Sequence, residues 1–170
     1  MNPAGPSPQD QVITPSGSVQ RRFVEMLHDL DAVTWEMDAR TWRFTFVSPH
    51  AERVFGYPVA EWYDDPDFWR NRLLDPQDRD WCVGFCSTAT RECRDHAFLY
   101  RARCADGSTR WIKDLVRVVP DESGSAHVMR GIMLDVSSEM DGVRSMHGHA
   151  AELDYNAPEN ETWIRALSAA

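Results

Sequence analysis

Four cysteines and six histidines are the side chains of this 170-residue chain with the widest chemical reach. Cys82, Cys86 and Cys93 stand at i, i+4 and i+11 of one helical pattern, and Cys104 follows in a strand pattern. Structural zinc sites use tighter cysteine pairs with two further ligands, so no metal site is read here. Disulfides belong to small, cysteine-dense chains, which this is not. Reduced thiols packed as small hydrophobes are the expected state. His50 falls on the exposed first turn of a helix, and His96 and His127 fall near strand starts, so surface positions are expected. His147 and His149 lack the acidic neighbour and downstream proline of a phosphoacceptor box. Nucleophile elbow, phosphate-binding glycine loop and zinc-protease helix motif are all missing. The carboxylates cluster at caps and turns, and the chain reads as a non-enzyme.

Composition narrows the partners. Hydrophobic content of 42% and charged content of 26% are ordinary for a globular domain with extensions. A net charge of −9 argues against a general binder of nucleic acid or of an anionic membrane surface, each of which needs a cationic face. No apolar run has the length to span a bilayer, and a signal sequence is missing at the start, so a cytoplasmic location is expected.

The elements that must position any site follow from punctuation and periodicity. Pro3, Pro6, Pro8 and Pro15 mark residues 1–17 as a tail or linker. Val19, Phe23, Met26, Leu27 and Leu30 then make the apolar face of an amphipathic helix over 18–31, with Ser18 as its N-cap. Val33, Trp35 and Met37 alternate with polar residues, as do Trp42, Phe44 and Phe46 after a turn at 39–41, which reads as a hairpin. Ser48 caps a helix opened by Pro49 and closed by Gly56. Two short helical candidates follow, punctuated by Asp65-Pro66. Asp75-Pro76 then starts a longer helix with Trp81, Cys82, Phe85, Cys86 and Ala89 as its buried stripe. Strands are expected at 96–104, 109–119 and 126–136, joined by turns at Asp106-Gly107 and 121–125.

Strands interrupted by a run of helices argue for an α+β fold, an antiparallel sheet with helices packed on one face. The last strand is apolar on both faces: Val128, Ile132 and Leu134 on one, Met129, Gly131 and Met133 on the other. A sheet with one wet face would not show this, so something must cover the second face. The N-terminal helix is the first candidate and a partner subunit the second. Large residues expected on the inner faces are Phe46, Trp81, Phe85, Tyr100, Met129 and Met133, with Cys86 beside them. Gly131 would give space where a backbone approaches a ligand. Such a stripe suits a plain core first, and a small apolar or aromatic ligand second.

Four segments together carry a family resemblance: Ser-Pro-His-Ala-Glu-Arg-Val-Phe-Gly-Tyr-Pro at 48–58, Asp-Pro-Gln-Asp-Arg at 75–79, Arg-Ala-Arg-Cys-Ala-Asp-Gly-Ser-Thr-Arg-Trp-Ile at 101–112 and Gly-Ile-Met-Leu-Asp-Val-Ser at 131–137. In this order and spacing the chain resembles a PAS domain over residues 32–138. The resemblance implies a five-stranded antiparallel sheet, with residues 139–170 as a helical extension and the N-terminal helix on the other face. It implies a sensory or regulatory module for signal transduction, with Asp135 and Ser137 at the signal exit towards an effector. It also implies a homodimer, here through residues 19–30 and the outer sheet face. A structural dimerisation module with a filled core is the alternative, and a haem or flavin redox sensor the second. The flavin photosensors of the family carry a cysteine followed by Arg-Phe-Leu-Gln where this chain has Asn71-Arg72-Leu73-Leu74. The haem sensors take a histidine from the longer helix, and residues 75–93 hold none.

Overall fold

The computed structural model describes residues 32–141 together with Arg21, Arg22, Glu25 and Met26. The chain divides into two compact units, Met1–Leu30 and Asp31–Ala170. In the first, the four described residues are helical. Val19, Phe23, Leu27 and Leu30 of the expected interface lie outside the described residues, as do residues 142–170 of the expected extension.

The second unit is a five-stranded antiparallel sheet with its helices between the second and third strands. In chain order it runs β1 (Ala32–Asp38), β2 (Phe44–Val47), α1 (His50–Phe55), α2 (Val59–Asp64), a π-helical segment (Phe68–Leu73), α3 (Pro76–Arg91), β3 (His96–Arg103), β4 (Thr109–Pro120) and β5 (Ala126–Asp135). The sheet order is β2-β1-β5-β4-β3, so the first and last strands pair at the centre and both hairpins lie outward. Phe44, Tyr100, Trp111 and Ile132 thus sit in one sheet, as the strand patterns require.

Local chemistry sets the element ends. Gly56 takes φ +77° and its amide donates to the Glu52 carbonyl, the left-handed helix stop that glycine adopts without strain. The Asp75 side chain accepts from the Gln77 amide and Pro76 opens α3. At the start of α1 the cap differs from expectation: Pro49 is the cap residue, and the Ser48 hydroxyl instead accepts from the Thr34 amide of β1 at 3.1 Å. The serine sews the helix entry to the sheet. Trp42 differs too. It stays in the turn at φ +58° because Asp38 holds that turn, its carboxylate accepting from the Arg40 and Thr41 amides. A tryptophan in this conformation costs about 1–2 kcal/mol. Its ring offsets part of that cost by stacking on Trp69 and lying beneath the Arg70 guanidinium, 4.7 Å from the ring centre.

The core lies between the inner sheet face and the helices. Trp62 of α2 meets Phe44, Phe55 and Phe68 at ring distances of 5.2, 5.7 and 4.5 Å, and Trp69 meets Phe98 and Tyr100 edge-on. Such pairs contribute about 0.5–1.5 kcal/mol each beyond the area they bury. His50 corrects an expectation. With Ala51, Val54 and Phe55 it forms the buried stripe of α1, because the short helix turns its first residue towards the interior. His96 is buried as well, between Cys86 and the Arg94 carbonyl.

Gly131 decides how the inner face is filled. It pairs with Trp35 on one side and Val116 on the other. A Cβ placed on it would meet the Trp35 ring at 2.3 Å. The expected free space above this glycine is therefore occupied by the indole. Substituting Gly131→Ala should destabilise the domain by about 1–3 kcal/mol through this clash, despite the better strand propensity of alanine. Urea unfolding of the variant checks it. An unchanged midpoint would show that the indole does not lie across β5.

Candidate functional site

Two regions of the sheet have properties beyond packing. On the inner face, Asp114 of β4 is 1% exposed. Its Oδ1 accepts from Trp35 Nε1 of β1 at 3.1 Å and its Oδ2 from the Tyr100 hydroxyl of β3 at 3.3 Å. Among the described residues no cation pairs with it. Burial raises its pKa to about 7, against the two hydrogen bonds that favour the ionised form. Burial and then the neighbouring Asp114 push the Tyr100 phenol well above its ordinary value.

A cavity of about 10 Å³ adjoins this carboxyl, lined by residues that include Trp42, Trp69, Cys86, Phe98, Met129 and Met133. That is room for one water-sized species. Of the expected inner-face residues, Cys86, Met129 and Met133 line it, Tyr100 is buried behind Asp114, and Phe85 is half-buried against Phe98 and His96. Two expectations are corrected. Trp81 is 38% exposed, because it sits on the solvent side of α3 and stacks on Phe85 instead of entering the core. Phe46 is 49% exposed, because a register shift at Glu36/Met37 lets Phe44 and Val47 point inward and leaves Phe46 on the outer face.

The thiols are those of core residues. Burial pushes Cys86 up to about 12 and Cys82 higher still, with neighbouring carboxylates adding to the effect. Both stay protonated near neutrality and make poor thiolate ligands. The water-sized cavity also has no place for a haem macrocycle or a flavin ring. The residues present do not fit either group.

The second region is the outer face. One end of it is covered by the chain itself: Leu99, Val136 and Met140 are buried together with Trp111 and Leu134 packed against them. Met140 belongs to a helical turn at 137–141, and this turn supplies the cover. Towards β2 the face is open. A groove of about 470 Å³ runs over Thr34, Glu36, Phe46, Leu115, Arg117 and Ile132. The Arg130–Glu36 ion pair at 2.8 Å lies along it, and Leu115 is 37% exposed.

A corner at Asp135 and Ser137 joins the end of β5 to β4. Asp135 Oδ1 accepts from the Ser137 amide and hydroxyl, Oδ2 pairs with Arg110, and the Ser137 hydroxyl accepts from the Trp111 amide. Partial burial raises the Asp135 pKa, but Ser137 and Arg110 outweigh it and hold the carboxylate below its usual range. The Val136 amide closes the corner on the Trp111 carbonyl at 2.9 Å. The start of the C-terminal helix is thus bonded to β4 three residues from Asp114.

This architecture defines a sensory module built on a helix-covered antiparallel sheet. The PAS fold family model matches residues 44–133, and the chain belongs to that family. The N-terminal domain of a diguanylate cyclase with PAS/PAC sensor from Marinobacter aquaeolei is 35% identical, with 64% of this chain and 98% of that one covered at a TM-score of 0.61. A sensory box histidine kinase/response regulator from Burkholderia thailandensis is 21% identical, covering 74% and 92%, also at 0.61. The PAS domain of a protein from Colwellia psychrerythraea is 15% identical, covering 71% and 98%, at 0.57. The latter two share the fold. Among curated proteins none matches the chain. No helix of the described residues is long and apolar enough to cross a membrane.

Asp135→Ala should release the 137–141 turn while leaving the sheet in place, a loss of about 1–2 kcal/mol. Amide exchange checks it, with protection expected to fall at Val136–Met140 and to persist in β3 and β4. Uniform loss of protection across the sheet would show that the carboxylate holds the fold, not the exit.

Proposed function

We propose that this PAS domain receives or relays its signal through macromolecular contact on the outer sheet face. The occupant is a second copy of the chain, and the Asp135–Ser137 corner passes the change to an effector. A diguanylate cyclase or a histidine kinase, of the kind named for the neighbours above, fits that role. The observation that carries the reading is the contrast between the two faces: about 470 Å³ of open, apolar-floored groove outside, and about 10 Å³ inside. A small apolar or aromatic ligand in the core would require that core to be rebuilt, so the reading with a filled interior is favoured. A stable interface takes roughly 800 Å² per partner, more than the three side chains Phe46, Leu115 and Ile132 can offer alone. Residues 19–30, with Val19, Phe23, Met26, Leu27 and Leu30 on one helical face, would supply the remainder.

Sedimentation velocity of the full chain should give a dimer, and Phe46→Glu combined with Leu115→Arg should give a monomer. Both substitutions are at exposed sites, so thermal unfolding extrapolated to the monomer should change by no more than about 0.5 kcal/mol each. A monomeric wild-type chain, or a variant that remains dimeric, would overturn the assignment.

A further inference from the structure

We infer that the Asp114 side chain is a proton-binding site and that the proton is an input this domain reads. The site stands on geometry. The carboxyl is fully enclosed, faces a cavity that admits nothing larger than water, and lacks a cationic partner among the described residues. An ionised carboxylate in that setting has only two neutral donors to stabilise it, whereas a protonated one is nearly free of desolvation cost.

The two oxygens are not equivalent. Trp35 Nε1 can only donate, so Oδ1 must accept in both states. The proton from solvent therefore goes to Oδ2, and the Tyr100 hydroxyl turns from donor to acceptor. Both states are hydrogen-bonded, which lets the site titrate without breaking the fold. The other titratable groups facing Asp114 are Tyr100 from β3 and Cys82 and Cys86 from α3, all kept neutral by burial. Trp35 from β1, Met133 from β5 and Trp69 from the π-helical segment do not titrate. Lys113 lies on the other face of β4, paired with Leu99 and Leu134 of the outer side.

Direction follows from linkage. Burial lifts the Asp114 pKa from the usual carboxylate value to about 7 in the folded chain, so the folded state holds a proton that the unfolded state has lost. The stabilisation is complete below about pH 4 and is lost as pH rises to about 7, up to about a thousandfold in the folding equilibrium. His96, whose pKa burial lowers, acts in the opposite sense, so only a comparison with an Asp114 variant isolates the carboxyl. The consequence at the exit runs along β4. The change of charge on Asp114 and the reversal of its bond with Tyr100 act on the strand whose Trp111 holds Val136 and Ser137.

The inference rests on the sensory reading only in treating the proton as a signal; the titration itself is measured without any partner. The test uses the full chain and Asp114→Asn, whose amide keeps an acceptor for Trp35 and a partner for Tyr100. Infrared spectra should show a protonated-carboxyl band at about pH 6 that disappears by about pH 8.5 in the wild type and is missing in the variant, since ordinary carboxyls are ionised throughout. The Val136 and Ser137 amide shifts should follow the same midpoint in the wild type and lose that component in the variant. Should Asp114→Asn fail to fold, Tyr100→Phe removes one donor to the ionised form and should move the midpoint upward. The same band and amide shifts at both pH values, or a midpoint that Tyr100→Phe leaves in place, would overturn the proton site. A monomeric wild-type chain with an intact titration would overturn the groove and leave the proton site standing.

Discussion

One hydrogen bond sets the terms for the inner face, that from the Trp35 indole to the Asp114 carboxyl. An indole N–H in a dry interior must find an acceptor or cost free energy. Trp35 belongs to β1 and Asp114 to β4, with β5 between them. The ring can bridge that gap only by lying flat over the intervening strand, which requires that strand to carry no side chain at the crossing. Gly131 meets that requirement. The bond, the glycine and the small size of the cavity beside Asp114 are one structural fact.

The same constraint explains where apolar chemistry went instead. With the inside filled by Trp35, Trp62, Trp69 and their aromatic neighbours, the side chains left for recognition are on the reverse of the sheet. There Leu99, Trp111 and Leu134 are sealed by Met140, while Phe46, Leu115 and Ile132 are not. The two edges of the sheet are protected from pairing. At β3 the Asp75 amide takes the Arg101 carbonyl and Asp78 accepts from the Arg101 amide and guanidinium; at β2 Tyr63 takes the Val47 amide.

Much of the fold was legible because it is written in short-range chemistry. Asp75-Pro76, Gly56 and Asp106-Gly107 act on their own neighbours, so their meaning survives without the tertiary structure. Alternation placed all five strands, and the motif order placed the family. What could not be read depends on registers and crossings. The shift at Glu36/Met37 that turns Phe46 outward leaves alternation in the sequence intact and changes only which face it points to. Trp42 looks like a strand residue until Asp38 is seen to hold the turn. Asp114 stands between Lys113 and Leu115 like any exposed charge in a strand, and its burial follows only from three other strands arriving around it. Gly131 reads in the sequence as space for a ligand, and only the pairing of β1 with β5 shows that the Trp35 ring fills it.

That last point bears on why the buried group is an acid. An asparagine at 114 would accept from Trp35 and bond Tyr100 with no ionisation to suppress, so packing and hydrogen bonding alone do not call for a carboxyl. A carboxyl adds one property to that set, a charge whose appearance costs free energy in proportion to how well the core excludes water. Its position adds a second. Residues 110 and 111 of the same strand hold Asp135, Val136 and Ser137, so a change in the bonding at 114 needs no long route to reach the exit. The bridge that closes the interior to larger ligands thus leaves a single ionisable group at its end, on the strand that leads out.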